Sequence, residues 1–263
     1  MSDGFDCIRF ERLGAVLRVT IDNPRNDLNT VDAQMHGELA RLFSELRRED
    51  GARAIVLTGA GRAFSAGGDF GWFSQIADHA DIDVVRRDGK QIIWDLLDVE
   101  VPIVAAVNGP AIGLGASIAL LCDVILMADT ATIADPHVRV GIVAGDGGAA
   151  IWPLAVGPAR AKEYLLTGDP VSAVEAERIG LVNRVVAADR LQEEALALAN
   201  RLAAGAPLAL RYTKIAVNKL VKEALNTAFD YSTAAETFTM ASEDHKEAVR
   251  AIREKRRPEF KGR

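Results

Sequence analysis

His137 and Asp146 form a water-activating pair if the chain brings them together. Imidazole titrates closest to neutral pH, so it can both take and return protons. A carboxylate bonded to one ring nitrogen fixes the tautomer and steadies the imidazolium that forms when the other nitrogen accepts a proton. The run Gly141-Ile142-Val143-Ala144-Gly145 between them is flexible enough to fold back on the residue after Pro136. Asp146 has a structural alternative as the cap of a helix starting near Ala149.

Two glycine-rich turns offer the complementary chemistry. Phe64-Ser65-Ala66-Gly67-Gly68-Asp69 and Asn108-Gly109-Pro110-Ala111-Ile112-Gly113-Leu114-Gly115-Ala116-Ser117 each lead into an apolar helical run. Amides in the first turn of a helix have no intrahelical acceptor and sit in a field that favours negative charge. The amides of Ala66 and Leu114, converging on one carbonyl oxygen, would make an oxyanion hole for an enolate or a tetrahedral intermediate. Gly67, Gly68, Asp69 and Gly113 would then line the substrate. Ser117 with His137 and Asp146 leaves an acyl-enzyme triad open as a second use of the same residues.

Almost end to end, the sequence resembles the enoyl-CoA hydratase/isomerase (crotonase) superfamily. The likeness rests on both glycine turns, Asn23-Pro24 to Asn29, Ala54-Ile55-Val56-Leu57-Thr58-Gly59, Cys122-Asp123 and the tail Glu254 to Phe260. It implies an α/β fold, a crotonase-like ββα spiral over residues 1–188 with a C-terminal helical trimerisation region over 189–263. It also implies a homotrimer or dimer of trimers, and coenzyme A as part of the substrate with no other cofactor. Members that hydrate enoyl-CoA carry glutamates where this chain has Ser117 and His137. The His137 and Asp146 pattern, with Trp152-Pro153 after it, is similar instead to the carbon-carbon hydrolase branch typified by 6-oxocamphor hydrolase. That likeness assigns further roles to His36 and Glu236, although each also reads as an ordinary helix residue. The implied reaction is attack of water on a β-keto or acyl-CoA substrate or a cyclic β-diketone. An ordinary hydratase or isomerase with a rearranged acid and base is the alternative, and a non-catalytic RNA-binding member a second.

The elements that must position these groups are legible in the hydrophobic pattern. Ile8 to Glu11 and Ala15 to Asp22 read as a hairpin, and Val31 to Arg48 as a helix capped by Thr30. Strands follow at Arg53 to Thr58, Ile103 to Val107 and Val124 to Ala128, with helices at Val84 to Val99 and Leu114 to Leu121. After Asp146 the pattern is helical: Ala149 to Ala155, Arg160 to Leu166, Ala173 to Arg178, Leu191 to Ala204, Leu208 to Leu220, Leu225 to Met240 and Ser242 to Arg256. Only Leu181 to Val186 there reads as a strand. Such alternation of strand and helix places function in the connecting loops. His79 and His245 read as surface residues.

Composition narrows the class further. A chain of 263 residues, 49% hydrophobic and 26% charged with net charge −6, matches a globular domain with no broad attraction for nucleic acid or anionic membrane. Cys7 and Cys122 are too few for a disulfide framework, which points to a reduced, cytoplasmic setting. Asp3 and Asp6 exclude an ordinary secretory signal at this N-terminus. Asn108, Pro110 and Asp123 interrupt the apolar stretch Val101 to Ala128, so it is not expected to span a membrane. No spacing of histidine and cysteine suggests a metal site. The basic residues from Arg250 to Arg263 read either as a solvated helix end or as a site for coenzyme A phosphates.

Overall fold

The computed structural model describes residues 4–73, 75–76 and 79–263, with His79 and Ala80 described by backbone alone. Asp3 and the side chain of His79 lie outside the described residues.

The chain opens with strands β1 (Ile8–Leu13) and β2 (Val16–Ile21), helix α1 (Ala33–Leu46), strand β3 (Ala54–Gly59), a short helix α2 (Phe70–Phe73) and helix α3 (His79–Asp98). Strands β4 (Ile103–Val107) and β5 (Ala111–Ile112), helix α4 (Leu114–Leu120), and strands β6 (Val124–Ala128) and β7 (Thr132–Ala134) follow. A 3₁₀ turn (His137–Val140) leads to helix α5 (Gly148–Thr167), strand β8 (Val171–Ser172), helix α6 (Ala173–Arg178) and strand β9 (Arg184–Val186). The chain ends in helices α7 (Leu191–Ala203), α8 (Pro207–Met240) and α9 (Glu243–Arg253).

Two sheets carry these elements. One has the order β1-β2-β3-β4-β6-β9, antiparallel only between β1 and β2. A smaller sheet, β5-β7-β8, is absent from the sequence reading because its strands are only two or three residues long. β3 and β4 are buried along their whole length, as parallel strands covered on both faces must be. The turns that follow β3, β4 and β7 hold the candidate chemistry, at the carboxyl ends of parallel strands.

α1 begins at Asp32 rather than Thr30, because the Asp32 carboxylate accepts from the Met35 amide at 2.9 Å. Its Met35, Leu39, Leu42, Phe43 and Leu46 are fully buried, each side chain contributing on the order of 1.5–3 kcal/mol. Gly157, in a non-helical conformation, kinks α5, so the two helices expected around it run together. The two helices expected between Leu208 and Met240 are one 34-residue helix, since no glycine or proline interrupts that stretch. α7 packs against β2, β3, β4 and β6, so this part of the C-terminal helical region lies on the main sheet. α8 crosses α3 and α5, and is pinned by Lys214 on Asp123 at 2.8 Å and by the Asn218 amide on the Leu97 carbonyl at 2.9 Å.

Two glycines separate the constraints of turn and helix. A Cβ on Gly109 would stand 2.1 Å from the Arg62 carbonyl oxygen, whereas one on Gly37, exposed on α1, would meet nothing within 4 Å. Chemical denaturation should therefore show Gly109→Ala destabilised by more than about 2 kcal/mol and Gly37→Ala stabilised by about 0.5–1 kcal/mol. Equal effects from the two substitutions would contradict this packing.

Candidate active site

The turn after β3 is built by buried asparagines. Asn29 adopts φ 51°, and its amide donates to the Ala60 and Ala63 carbonyls at 2.8 and 2.9 Å while its oxygen accepts from the Asn23 amide at 3.0 Å. The Ser65 hydroxyl closes onto the Asn29 carbonyl at 2.8 Å. Ala66 is drawn into the same frame, its amide donating to the Leu28 carbonyl at 2.9 Å. The Ala66 amide is thus already spent. Among the described residues, the Gly68 amide in the same turn has no protein acceptor, and Gly68 lines the cavity. Leu114, the first residue of α4, presents the other amide without an intrahelical acceptor. Of the two amides expected to form an oxyanion hole, that of Leu114 is therefore left without an acceptor, whereas that of Ala66 is taken and Gly68 carries the unspent N–H of its turn.

Asp69 is corrected as well. Its carboxylate caps α2 through the Trp72 amide at 2.9 Å, and it lies on a shallow groove beside Arg25 and Asp32, not on the cavity. Gly67 and Gly113 do line the cavity, and Gly113 packs beneath the His137 ring.

The imidazole of His137 occupies the centre. β7 ends at Ala134, leaving Asp135 buried and hydrogen-bonded to His137 Nδ1. The opposite nitrogen, Nε2, lies 3.4 Å from Asp146 Oδ2 and 3.9 Å from Glu236 Oε1. The His137-to-Asp146 approach is present, but Asp135, which the sequence reading passed over, holds the tautomer. Its position two residues before the histidine was the available signal. Ser117 is buried and donates to Asp146 Oδ1 at 3.0 Å. It therefore orients the carboxylate from behind, and the serine-to-histidine bond of an acyl-enzyme triad is not formed.

The C-terminal helices close the site. A Cβ on Gly145 would stand 2.4 Å from Glu236 Cβ, so only glycine lets α8 approach this loop. Thr233 donates to the Gly145 carbonyl at 3.0 Å, and Thr239 accepts from the Val143 amide at 3.1 Å. His245 is buried, not on the surface, and its Nδ1 donates to the Val140 carbonyl at 2.7 Å, tying α9 to the turn that carries His137. His36 is buried on α1 with its Nδ1 3.8 Å from Asp88, and it reaches the cavity from the wall beside Trp72. Of the basic tail, Arg250 and Arg256 are committed to Glu247.

Three carboxylates around one imidazole cannot all be charged cheaply. Burial alone would lower the His137 pKa, but Asp135, Asp146 and Glu236 outweigh it and hold the ring well above the ordinary histidine range. Burial pushes Glu236 up to about 8 despite the opposing pull of His137, and it raises Asp146 in the same way. Asp135, His137 and Asp146 also carry ligand atoms within 4.8 Å of one another, near enough to share a cation. The bond between Nδ1 and Asp135 uses one donor pair, however, leaving Nε2 and Asp146 as open donors.

The enoyl-CoA hydratase/isomerase family model matches residues 11–263. The chain belongs to that family. Within it, a probable enoyl-CoA hydratase of Mycobacterium tuberculosis is 36% identical over 256 residues, covering 97% of this chain and 98% of the relative. The crystal structure of an enoyl-CoA hydratase/isomerase from Mycobacterium paratuberculosis superposes with a TM-score of 0.89 at 41% identity, over 94% of this chain and 99% of that one. A beta-diketone hydrolase from the cyanobacterium Anabaena, solved with (S)-3-oxocyclohexyl acetic acid, gives 0.84 at 32% identity over 90% and 94%. No helix among the described residues is long and apolar enough to cross a membrane.

The raised Glu236 pKa makes a family member of this kind pH-sensitive in stability. A carboxyl held at about 8 binds its proton more tightly folded than unfolded, where it titrates near 4.5. Its contribution is complete below the unfolded value and is lost as pH rises through about 8. Glu236→Gln cannot ionise, so melting curves should coincide with wild type near pH 5 and exceed it by roughly 2–4 °C near pH 9. A difference that stays constant with pH would contradict the assignment.

Proposed function

We propose that this family member hydrolyses a carbon-carbon bond between two carbonyl groups, in a cyclic β-diketone or a β-keto acyl-CoA. The observation that carries this reading is the His137 imidazole, locked by Asp135 at Nδ1 and open at Nε2 toward the cavity. Its histidine stands where hydratases of the family are expected to hold a carboxylate.

In this reading the imidazolium first passes its Nε2 proton to Asp146, 3.4 Å away, and the neutral ring so formed takes a proton from water through Nε2, while Asp135 stabilises the imidazolium that re-forms. The water oxygen adds to one carbonyl carbon. Collapse of the tetrahedral centre re-forms that carbonyl as a carboxylic acid and passes the electron pair of the broken bond to the neighbouring α-carbon. The resulting enolate oxygen is held by the Gly68 and Leu114 amides. Glu236, which keeps its proton to about pH 8, supplies the proton that quenches the α-carbon. Asp146, anchored by Ser117, holds the water or the imidazolium, and His36 binds the second carbonyl. The exposed Tyr212, Leu220, Tyr231 and Phe238 on α8 fit the trimeric assembly that the resemblance implies.

A second reading is an ordinary enoyl-CoA hydratase, in which Asp146 and Glu236 act as the acid and base. It is favoured by these two carboxylates facing one cavity and by the name of the Mycobacterium tuberculosis relative. One panel separates the two. Purified protein is offered a substituted cyclohexane-1,3-dione, a β-keto acyl-CoA and crotonyl-CoA in ¹⁸O-labelled water. The hydrolase reading predicts cleavage of a dicarbonyl with one label in the new carboxylate, a drop of about 10²–10⁴-fold in kcat for His137→Ala, and crotonyl-CoA hydration at least about 100-fold slower. Efficient crotonyl-CoA hydration with both dicarbonyls untouched would overturn it.

A further inference from the structure

One wall of the cavity is unlike the rest. Phe70, Trp72, Phe73, Phe229 and Met240 make most of it apolar, and His137 with its carboxylates forms the acidic side. α3 presents Val85, Arg86, Gly89 and Lys90, a spacing that keeps all four on one helix face. Two cations four residues apart, on an otherwise apolar lining, call for a ligand of opposite charge.

We propose that this wall is an anion subsite, and that the substrate carries a carboxylate remote from the reacting carbonyl, held by Arg86 and Lys90 over the bare backbone of Gly89. The proposal rests on the hydrolase reading for the reacting end of the substrate only. A Cβ built on Gly89 would have His36 Nε2 as its nearest neighbour, at 4.0 Å, so a ligand oxygen has room there between the two cations.

The present partners of these cations are weak competitors. Arg86 binds Asp83 through Nε and Nη2, both on Oδ1, at 3.0 and 2.6 Å, and among the described residues its Nη1 has no hydrogen-bond partner. Lys90 pairs with Asp230. The side chains of Asp83 and Asp230 are 50% and 72% exposed, so water and salt screen both pairs. A carboxylate delivered inside the cavity meets the same cations with less solvent around it. The resulting polarity orients the ligand, its carboxylate toward α3 and its dicarbonyl toward His137 and the free amides.

A matched pair of probes tests this, 3-oxocyclohexyl acetic acid and its methyl ester, which differ only in the remote charge and, having a single ring ketone, offer no dicarbonyl bond to cleave. Calorimetric Kd values are measured on wild type, on Arg86→Gln/Lys90→Gln and on the charge-preserving Arg86→Lys/Lys90→Arg, alongside coenzyme A alone. The expected result is acid bound about tenfold tighter than ester by wild type and by the charge-preserving variant, the size expected of one or two charge-assisted contacts at a partly exposed mouth. The preference disappears in the glutamine variant, and coenzyme A affinity does not change. Equal affinities for acid and ester in wild type would overturn the proposal, as would a preference that survives both glutamine substitutions. So would a glutamine variant that loses coenzyme A binding but keeps the preference, because the cations would then serve nucleotide phosphates. Binding is read without turnover, so failure to cleave the dicarbonyls counts against the hydrolase reading and leaves this result standing.

Discussion

The hydrogen bond between Asp135 and His137 Nδ1 is the contact on which the site depends. It decides which ring nitrogen faces the cavity, and it requires a charged group at a strand end that is almost completely buried. Burying a carboxylate without a partner is expensive, and the imidazole is that partner. The same bond then helps to hold a proton on His137, while Asp146 and Glu236 crowd the other nitrogen. The site is therefore rich in protons at rest. A rest state of this kind can both release a proton acceptor and deliver a proton within one turnover.

The surrounding fold keeps that cluster in register. Strands β3, β4 and β7 bring the Gly68 turn, the Leu114 amide and Asp135 to one end of the molecule, and the buried Asn23 and Asn29 fix the first of these turns. From the other side, α8 and α9 grip residues 137–148 through Thr233, Thr239 and His245. Glu236 reaches His137 only because α8 passes against Gly145. The C-terminal helices therefore complete the site and supply one of its three carboxylates.

Much of this was legible in the sequence, for identifiable reasons. The buried parallel strands read as continuous apolar runs, and the long helices as 3.6-residue periodicity. His137, Asp146 and Glu236 converge as the resemblance implied. A glycine-rich motif does not say which of its N–H groups the turn itself consumes, and here the Leu28 carbonyl takes that of Ala66. Asp69 read as lining the substrate and Ser117 as the open serine of a triad, whereas their hydrogen bonds commit them to capping α2 and to orienting Asp146. His245 lies on a strongly charged helix and read as exposed. Its burial follows from the docking of α9 against the His137 turn, a long-range contact that local pattern does not encode.

The most direct measurement of the central claim is a ¹H–¹⁵N spectrum of histidine-labelled protein across pH, with Asp135→Asn as the reference. The bond to Asp135 predicts a strongly downfield Nδ1 proton for His137 and a ring that stays doubly protonated through neutral pH, both lost in Asp135→Asn as the ring titrates lower. A His137 ring without a proton on Nδ1 at neutral pH, or one unaffected by Asp135→Asn, would contradict the account.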